Sequence, residues 1–195
     1  TPRQFDYLNT IEKSADSLLG IINEILDFSK IGAGKLVLDN IPFNLRDLLQ
    51  DTLTILAPSA HDKGLELVSL VYRDTPLSLV GDPLRLKQIL SNLISNAIKF
   101  TDRGEVQANL LLPVIAGHGV LPVELDVRDT GIGISPADQA RLFNAFVQAD
   151  GPRARQGAGL GLSIVRRVVE LHRGSISLGD SPLGGLEVAM RLPRR

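Results

Sequence analysis

Three polar residues on one predicted helix have the chemistry needed to hold a metal–phosphate group. Asn92, Asn96 and Lys99 are spaced by four and three positions, so at about 100° per residue they share one side of the helix. Carboxamide oxygens can coordinate a hard cation, and a lysine ammonium can neutralise the accompanying phosphates. An ordinary amphipathic helix with a polar outer side explains the same spacing. The stripe alone does not separate these two interpretations.

A second polar motif, Asp-Thr-Gly-Ile-Gly, occupies residues 129–133. Because residues 123–128 alternate apolar with polar side chains, Asp129 shares the parity of the core-facing positions of a predicted strand. A buried carboxylate is unfavourable unless it accepts hydrogen bonds. The exocyclic amine of adenine is a suitable donor, and Gly131 and Gly133 would let the backbone and ligand approach closely. An ordinary Asp-x-Gly turn is the alternative.

A glycine-rich segment precedes the last predicted helix. Gly157, Gly159 and Gly161 alternate there, and Leu160 begins the apolar repeat of that helix. Backbone N–H groups at a helix N-terminus can bind an anion. Glycines leave these groups accessible because they carry no side chain. The spacing is not the dinucleotide-binding fingerprint, which follows a strand directly.

Between the two glycine motifs lie two aromatic and two basic candidates. Phe143 and Phe146 could anchor the segment, although packing in the core explains them equally well. Arg153 and Arg155 could reach terminal phosphates. Exposed loop arginines are the alternative for this pair.

Composition excludes several classes of protein. The 195 residues carry 21 basic and 22 acidic side chains, a net charge of −1, which is unlike the basic surface of a nucleic-acid-binding protein. The absence of cysteine rules out disulfides and thiolate metal sites. No apolar run approaches the roughly 18 residues of a membrane span, and no signal peptide is visible, so we expect no direct membrane contact by this piece.

The first part of the chain, residues 1–34, is predicted to be one long helix of a helical hairpin or bundle. Its apolar positions recur at alternating intervals of three and four, as in a helical bundle. These positions are Leu8, Ile11, Ala15, Leu18, Ile22 and Ile25. A single helix cannot bury such a stripe, so we expect a second copy of the chain to cover it. Packing against the rest of the same chain is the alternative.

From residue 35 onwards the pattern is mixed. Strands are predicted at Lys35–Leu38, 65–69, 106–112, 123–127, 176–178 and 186–192. Helices are predicted from Asn44 to near Pro58, at 82–100, near Pro136–Gln148 and at 160–171. Helices on one face of a mixed sheet make a two-layer α/β sandwich.

The ordered set of motifs is more specific than any one of them. Residues 82–100, 129–133, 142–146 and 157–162 resemble the N, G1, F and G2 boxes of the histidine-kinase ATP-binding domain. Residues 6–14 and 26–30 look like the second helix of a kinase dimerisation domain, so the resemblance covers essentially the whole chain. Residues 41–70 and 81–89 are most similar to the GacS/BarA type of hybrid sensor kinase.

The resemblance implies a Bergerat fold over residues 35–195 that binds ATP and Mg²⁺, with a lid between the two glycine boxes. In this family, Asn96 would ligate Mg²⁺, Asn92 would support the metal–phosphate cluster and Lys99 would contact phosphate. Asp129 would read adenine. The remaining members of the nucleotide site would be Gly131, Gly133, Arg155, Gly157, Gly159, Leu160 and Gly161.

Two departures from the family pattern concern the lid and the phosphoryl acceptor. Gln156 and Ala158 replace a glycine and a threonine of the second glycine box. His61, His118 and His172 lack the His-Glu/Asp-x-Arg-Thr-Pro setting of an acceptor, and we expect them to be ordinary surface residues. The chain is therefore expected to donate the γ-phosphoryl group to a histidine that it does not contain, and to be unable to phosphorylate itself.

Two other functions compete with this one. ATP-hydrolysing relatives of the gyrase, Hsp90 and MutL kind carry a glutamate as general base where this chain has Asn92, an amide that cannot accept the proton. A degenerate, non-catalytic module that binds a nucleotide weakly or pairs with another sensor kinase is the second alternative. The kinase interpretation implies a receiver-domain partner and a cytoplasmic position in an inner-membrane-anchored bacterial protein.

Overall fold

The computed structural model describes residues 2–73, 75–111, 122–148 and 159–193. Within these ranges the helices are α1 (Pro2–Gly32), α2 (Leu45–Asp62), α3 (Pro83–Phe100), α4 (Pro136–Gln139) and α5 (Gly161–Leu171). The strands are β1 (Ile41–Asn44), β2 (Glu66–Val71), β3 (Ser78–Gly81), β4 (Glu105–Leu111), β5 (Val123–Asp129), β6 (Ser175–Asp180) and β7 (Leu186–Leu192). No helix of the described residues is long and apolar enough to cross a membrane.

A five-stranded sheet with the order β2-β4-β5-β7-β6 carries the helices on one face. β2 and β4 are parallel, and the other neighbours are antiparallel. Alternate residues of β4 and β5, such as Val106, Leu110 and Leu125, have at most 1% of their surface exposed and pack with α3 residues such as Ile89 and Leu90. This arrangement confirms the predicted two-layer α/β sandwich.

Both ends of α3, the helix with the polar stripe, are capped. The Asp82 carboxylate accepts a hydrogen bond from the Arg85 N–H at 3.0 Å, and Pro83 occupies the first turn. At the other end, the Lys63 ammonium donates to three backbone carbonyls at 2.7 to 3.2 Å. These caps fix where α3 begins and ends, and hence where its polar side chains lie.

The predicted strand at Lys35–Leu38 is wrong. The first strand is instead β1, which pairs with β3 in a separate two-stranded sheet, from Ile41 opposite Gly81 to Asn44 opposite Ser78. Sequence periodicity did not reveal β3, because a four-residue strand shows too little alternation.

Two helix boundaries also differ from the prediction. α2 continues past Pro58 to Asp62; the carbonyl that loses its helical N–H partner belongs to the exposed Thr54, where solvent can replace it. The helix expected near Pro136–Gln148 is only the four-residue α4, followed by turns in which Phe146 has a φ of 64°. A residue with left-handed backbone cannot continue a right-handed helix, so no helix extends through Phe146 to Gln148.

Candidate functional site

The two asparagines of the stripe are joined by a hydrogen bond. The Asn96 Nδ2 group donates to Asn92 Oδ1 at 2.9 Å, and both side chains are partly buried. Because the Asn96 amide donates with its nitrogen, its oxygen remains available as a ligand. The described residues contain no cluster of three or more acidic or histidine side chains that could hold a metal ion. A cation here would therefore depend on amide oxygens and on the ligand's own phosphates.

The N-terminus of α5 lies directly against Asn92. A Cβ atom at Gly161 would be 2.5 Å from Asn92 Nδ2 and 2.9 Å from its Oδ1, so only glycine allows this approach. Leu160, which precedes the helix, is fully buried and gives no side-chain cap. The first N–H groups of α5 are thus left for another acceptor. The structure brings the stripe and the last part of the glycine motif together.

Lys99 is the third member of the stripe. Its ammonium lies 4.9 Å from the centre of the Phe100 ring. Partial burial lowers the pKa of Lys99, and the carboxylate of Glu24 in α1 acts in the opposite direction. An anion that approaches this partly desolvated amine would favour its charged, protonated form.

Asp129 lies at the end of β5 with 6% of its surface exposed, as its parity predicted. Its Oδ1 atom accepts hydrogen bonds from the N–H groups of Gly131 at 2.8 Å and Leu186 at 3.2 Å. No donor among the described residues reaches Oδ2. Burial raises the pKa of Asp129, and the two N–H bonds only partly offset this effect. One oxygen of the carboxylate is thus held by the backbone, and the other is left for a ligand.

Gly131 connects Asp129 to the C-terminal end of α3. A Cβ atom at Gly131 would be 2.8 Å from the Phe100 carbonyl and 2.9 Å from Asp129 Oδ1. Asn92 is about 12 Å from Phe100 along the helix axis, at 1.5 Å per residue. The carboxylate and the asparagine pair therefore lie towards the end and the middle of the same helix. The hydroxyl of Thr101, just beyond that helix, is buried without a hydrogen-bond partner.

Sequence reasoning missed the contribution of the β6–β7 hairpin. A Cβ atom at Gly185 would overlap the Asp129 carboxylate and lie 2.6 Å from the Gly131 N–H nitrogen. Leu186, the next residue, supplies one of the two donors to Asp129. Gly133, with a φ of 63°, faces the same hairpin. The sequence shows a Gly184-Gly185 pair, and such a pair indicates a turn rather than a contact with a distant carboxylate.

The segment around the second glycine motif is described in part. Phe146 is 67% exposed, and its N–H donates to the carbonyl of Gly159 at 3.0 Å, so it is not a core residue. Phe143 is partly buried, with the Arg166 guanidinium 5.8 Å from its ring centre. The predicted residues Arg153, Arg155 and Gly157 lie outside the described residues, as do Gln156, Ala158 and His118.

The two described histidines differ from each other. His61 is exposed on α2, as expected. His172 is not an ordinary surface residue, because its Nδ1 atom lies 2.8 Å from the Val168 carbonyl and its Nε2 atom is buried without a partner, close to Gly81. The end of α5 packs on β3, which the sequence did not predict.

Two cavities are lined in part by residues of α3. One of about 550 Å³ is lined by Lys63, Lys99 and neighbouring residues. The other, of about 270 Å³, is lined by Asn92 and by Glu24 of α1, among others. Asp129 lines neither cavity, so what connects it to Asn92 is α3 itself and the contact at Gly131.

Comparisons with known proteins agree on the type of domain. Residues 81–195 match the family described as histidine kinase-, DNA gyrase B-, and HSP90-like ATPase. The whole chain is 64% identical to the sensor histidine kinase GacS of Pseudomonas protegens, and 95% of it is 50% identical to the signal transduction histidine-protein kinase BarA of Escherichia coli. It spans only about a fifth of the length of these two relatives, 22% and 20% respectively.

The fold is similar to that of full-length ShkA, solved as a crystal structure in complex with AMPPNP. The TM-score is 0.83 at 35% identity, over the whole of this chain and 39% of the other. The mycobacterial sensor histidine kinase MprB matches 80% of this chain with a TM-score of 0.65 and 26% identity.

Proposed function

This chain belongs to the family of histidine kinase-, DNA gyrase B- and HSP90-like ATPases, and we propose that it is the ATP-binding catalytic part of a two-component sensor histidine kinase. The observation that carries the proposal is the placement of Asp129 and of the Asn92–Asn96 pair along one helix, with the N-terminus of α5 against Asn92. A carboxylate at one end and an anion site near the other match the two ends of a nucleoside triphosphate.

The adenine end of the proposed site depends on Asp129. Since the backbone holds Oδ1, the free Oδ2 accepts a hydrogen bond from the exocyclic amine of the base. Guanine presents a carbonyl at that position, and two acceptors would then face each other. Gly131 and Gly185 keep the surroundings of the carboxylate free of side chains. The arrangement therefore favours adenine over guanine nucleotides.

The phosphate end depends on Asn92, Asn96, Lys99 and the first turn of α5. Asn96 Oδ1, supported by Asn92, would hold Mg²⁺, which when bound supplies charge neutralisation and orientation of the β- and γ-phosphates. Lys99 and the N–H groups after Gly161 bind the phosphate oxygens. Phosphoryl transfer requires mainly such positioning and charge neutralisation from the protein.

The acceptor of the γ-phosphoryl group is proposed to be a histidine outside this sequence. His61 lies on the exposed side of α2 and His172 is partly buried against β3, away from the stripe. Because Asn92 cannot take a proton from water near neutral pH, steady hydrolysis of ATP is expected to be slow.

Three further features are proposed for the protein to which this chain belongs. Two chains pair through α1, a receiver domain of a response regulator accepts the phosphoryl group from the histidine, and the part described here lies on the cytoplasmic side of an anchored bacterial kinase. The support is the similarity to GacS and BarA together with the exposed apolar stripe of α1.

Titration calorimetry with AMPPNP and Mg²⁺ tests the nucleotide site. We expect micromolar-to-submillimolar affinity for the wild type, and a loss of about tenfold or more in Asp129→Asn and Asn96→Ala, since a hydrogen bond to a charged group contributes about 1.5–3 kcal/mol. Asp62→Asn, at the exposed end of α2, is the matched control and should bind like the wild type.

Two outcomes would contradict the kinase function. Absence of binding by the folded wild type would favour the pairing module, for which the altered Gln156 and Ala158 positions are the specific argument. Stable incorporation of label from γ-labelled ATP into this chain alone would show that one of its own histidines is the acceptor. Rapid steady turnover of ATP would instead favour the hydrolysing relatives.

A further inference from the structure

A turn at the C-terminal end of α2 fixes the backbone of Lys63. Lys63 is the C-cap residue of this helix, and its N–H donates to the Ala60 carbonyl at 3.1 Å. Gly64 follows with a φ of 67°, and the N–H of Leu65 donates to the same Ala60 carbonyl at 3.0 Å. The position of the Lys63 backbone therefore does not depend on what its side chain binds.

The side chain of Lys63 reaches across to the last turn of α3. Its ammonium donates to the carbonyls of Ile98 at 2.7 Å, Lys99 at 2.8 Å and Thr101 at 3.2 Å. An ammonium has three N–H donors, and this geometry uses all of them. The last carbonyls of a helix lack an N–H partner within it, and the negative end of the helix dipole favours a cation there.

The turn that Lys63 holds contacts the adenine end of the proposed site. A Cβ atom at Gly131 would be 2.8 Å from the Phe100 carbonyl and 3.1 Å from the Thr101 hydroxyl. The N–H of Gly131 donates to Asp129 Oδ1 at 2.8 Å. A displacement of this turn therefore changes the packing around the N–H group that holds the carboxylate.

The same turn carries the lysine assigned to the phosphates. Lys63 donates to the backbone carbonyl of Lys99, and both lysines line the 550 Å³ cavity. Because the three donors of Lys63 are directed at backbone carbonyls, its ammonium is not placed to bind an anion itself. What it does is fix the part of the helix from which the Lys99 side chain extends.

We propose that Lys63 is a positioning residue of the nucleotide site, which acts by holding the last turn of α3. This inference deepens the proposed function and rests on it. Without the ammonium, three carbonyls lose a charged donor and the end of the helix frays more readily. The Lys99 side chain and the Phe100 carbonyl then have no fixed position, so the nucleotide binds to a less ordered site.

Removal of the ammonium tests this role. Lys63→Met keeps most of the aliphatic stem and removes the charge and all three donors. We expect the folded variant to bind AMPPNP and Mg²⁺ about fivefold more weakly in titration calorimetry, within the range by which residues outside a site affect binding. Lys63→Arg, which retains the charge and several N–H donors, should restore the affinity to within about twofold of the wild type.

Two control variants separate positioning from a general loss of stability or charge. Asn44→Ala removes the N-cap at the other end of α2, where Asn44 Oδ1 accepts from the Arg46 N–H at 2.9 Å, and should lower stability without changing affinity. Lys87→Met removes an equal charge from α3, where Lys87 lies 3.8 Å from the exposed Asp51, and should bind like the wild type. Urea unfolding gives the stability of each variant, and binding is measured where all of them are folded.

An NMR signal reports the position of the turn in the absence of nucleotide. The Gly131 N–H does not contact Lys63, and it is linked to it only through the last turn of α3. We expect the ¹H–¹⁵N signal of Gly131 to shift or broaden in Lys63→Met and to keep its wild-type position in Lys63→Arg and Asn44→Ala. A role of Lys63 in stability alone would leave this signal unchanged.

The outcomes separate the inference from the proposed function. If the wild type binds the nucleotide and folded Lys63→Met binds it equally well, or if the Gly131 signal does not change, the positioning role is wrong and the nucleotide site stands. If Asn44→Ala loses as much affinity as Lys63→Met, the effect is one of general stability and the positioning role is again wrong. If the wild type does not bind, the proposed function fails and the positioning role fails with it.

Discussion

Asp129 shows how a single residue can be unfavourable for folding and suited to binding. A nearly buried carboxylate loses hydration, and two backbone N–H groups compensate only in part. The raised pKa of Asp129 reflects this imbalance. Since no donor among the described residues reaches Oδ2, this oxygen can accept a hydrogen bond from a ligand. Such a conflict between stability and function is typical of a binding site.

This imbalance predicts a pH-dependent gain in stability for Asp129→Asn. Because the folded-state pKa lies above the ordinary value of 3.8, the folded state retains a proton that the unfolded chain loses, and wild-type stability falls as the pH rises from about 4 through the raised pKa. Asp129→Asn has no ionisable group at this position, so its stability does not fall over this pH range. Urea unfolding at several pH values should show it to be more stable at pH 7, with the gain shrinking towards pH 4.

Asp129→Asn should therefore increase the free energy of unfolding at pH 7 and, in the same variant, weaken nucleotide binding. Asp62→Asn, at an exposed position, is expected to change neither quantity. A variant that is less stable than the wild type at pH 7 would mean that the two N–H bonds outweigh the cost of burial.

At the scale of secondary-structure elements, α3 positions the parts of the candidate site relative to one another. Its capped ends set the position of the helix, the contact at Gly131 brings Asp129 to its C-terminal end, and Gly161 brings α5 against its middle. The β6–β7 hairpin completes the site by closing over Asp129. Each of these close approaches requires a residue without a side chain, which is a constraint on packing rather than on local conformation.

A methyl group at Gly185 should therefore disrupt the site. The Cβ atom of Gly185→Ala would overlap Asp129, so the hairpin must move and the bond from Leu186 is lost. We expect a loss of about 1–3 kcal/mol in the free energy of unfolding, as for other overpacked sites. Nucleotide binding, measured by calorimetry, should fall as well.

Gly179→Ala is a close control in the same hairpin. No atom lies within 4 Å of its Cβ position, so we expect little change in either measurement. Equal effects of the two substitutions would show that backbone entropy, and not the collision with Asp129, determines the result.

At the scale of the whole molecule, α1 has two different surfaces. Its C-terminal part docks on α3 through residues such as Asp27, whereas the predicted seam is largely uncovered. Leu8, Ile11 and Leu18 are 63%, 64% and 58% exposed. An apolar stripe of this length is a typical interaction site, and packing within one chain does not bury it. A second copy of α1 is the simplest partner with a matching pattern.

Placing a charge on this stripe should prevent self-association. Burial of an isoleucine side chain contributes about 1.5–3 kcal/mol, so Ile11→Glu should raise the dissociation constant of a dimer by at least about tenfold. Light scattering during gel filtration would measure the change. Val37→Glu, at a position that is 85% exposed in the segment after α1, should have no effect. A wild-type chain that stays monomeric at high concentration would contradict the pairing.

Elements that depend on a local residue pattern were predicted better than elements that depend on residues distant in the sequence. Long elements with clear periodicity, such as α3 and β5, were predicted correctly because their burial pattern is written in successive residues. The predicted strand at Lys35–Leu38 and the missed β3 were errors at four-residue elements, whose formation depends on a distant pairing partner. The assigned roles of Asn96, Lys99 and Asp129 stay predictions, although the structure places their side chains along one helix.

The sequence by itself determined the α/β sandwich, the buried parity of Asp129 and the polar stripe of α3, because each is a local pattern of residue types. Only the tertiary structure decided that Gly185 and Leu186 close over the carboxylate, that Gly161 meets Asn92 and that Glu24 of α1 lines a cavity together with Asn92. These contacts join residues 56 to 69 positions apart. Their formation depends on how the elements pack, and no local periodicity encodes that packing.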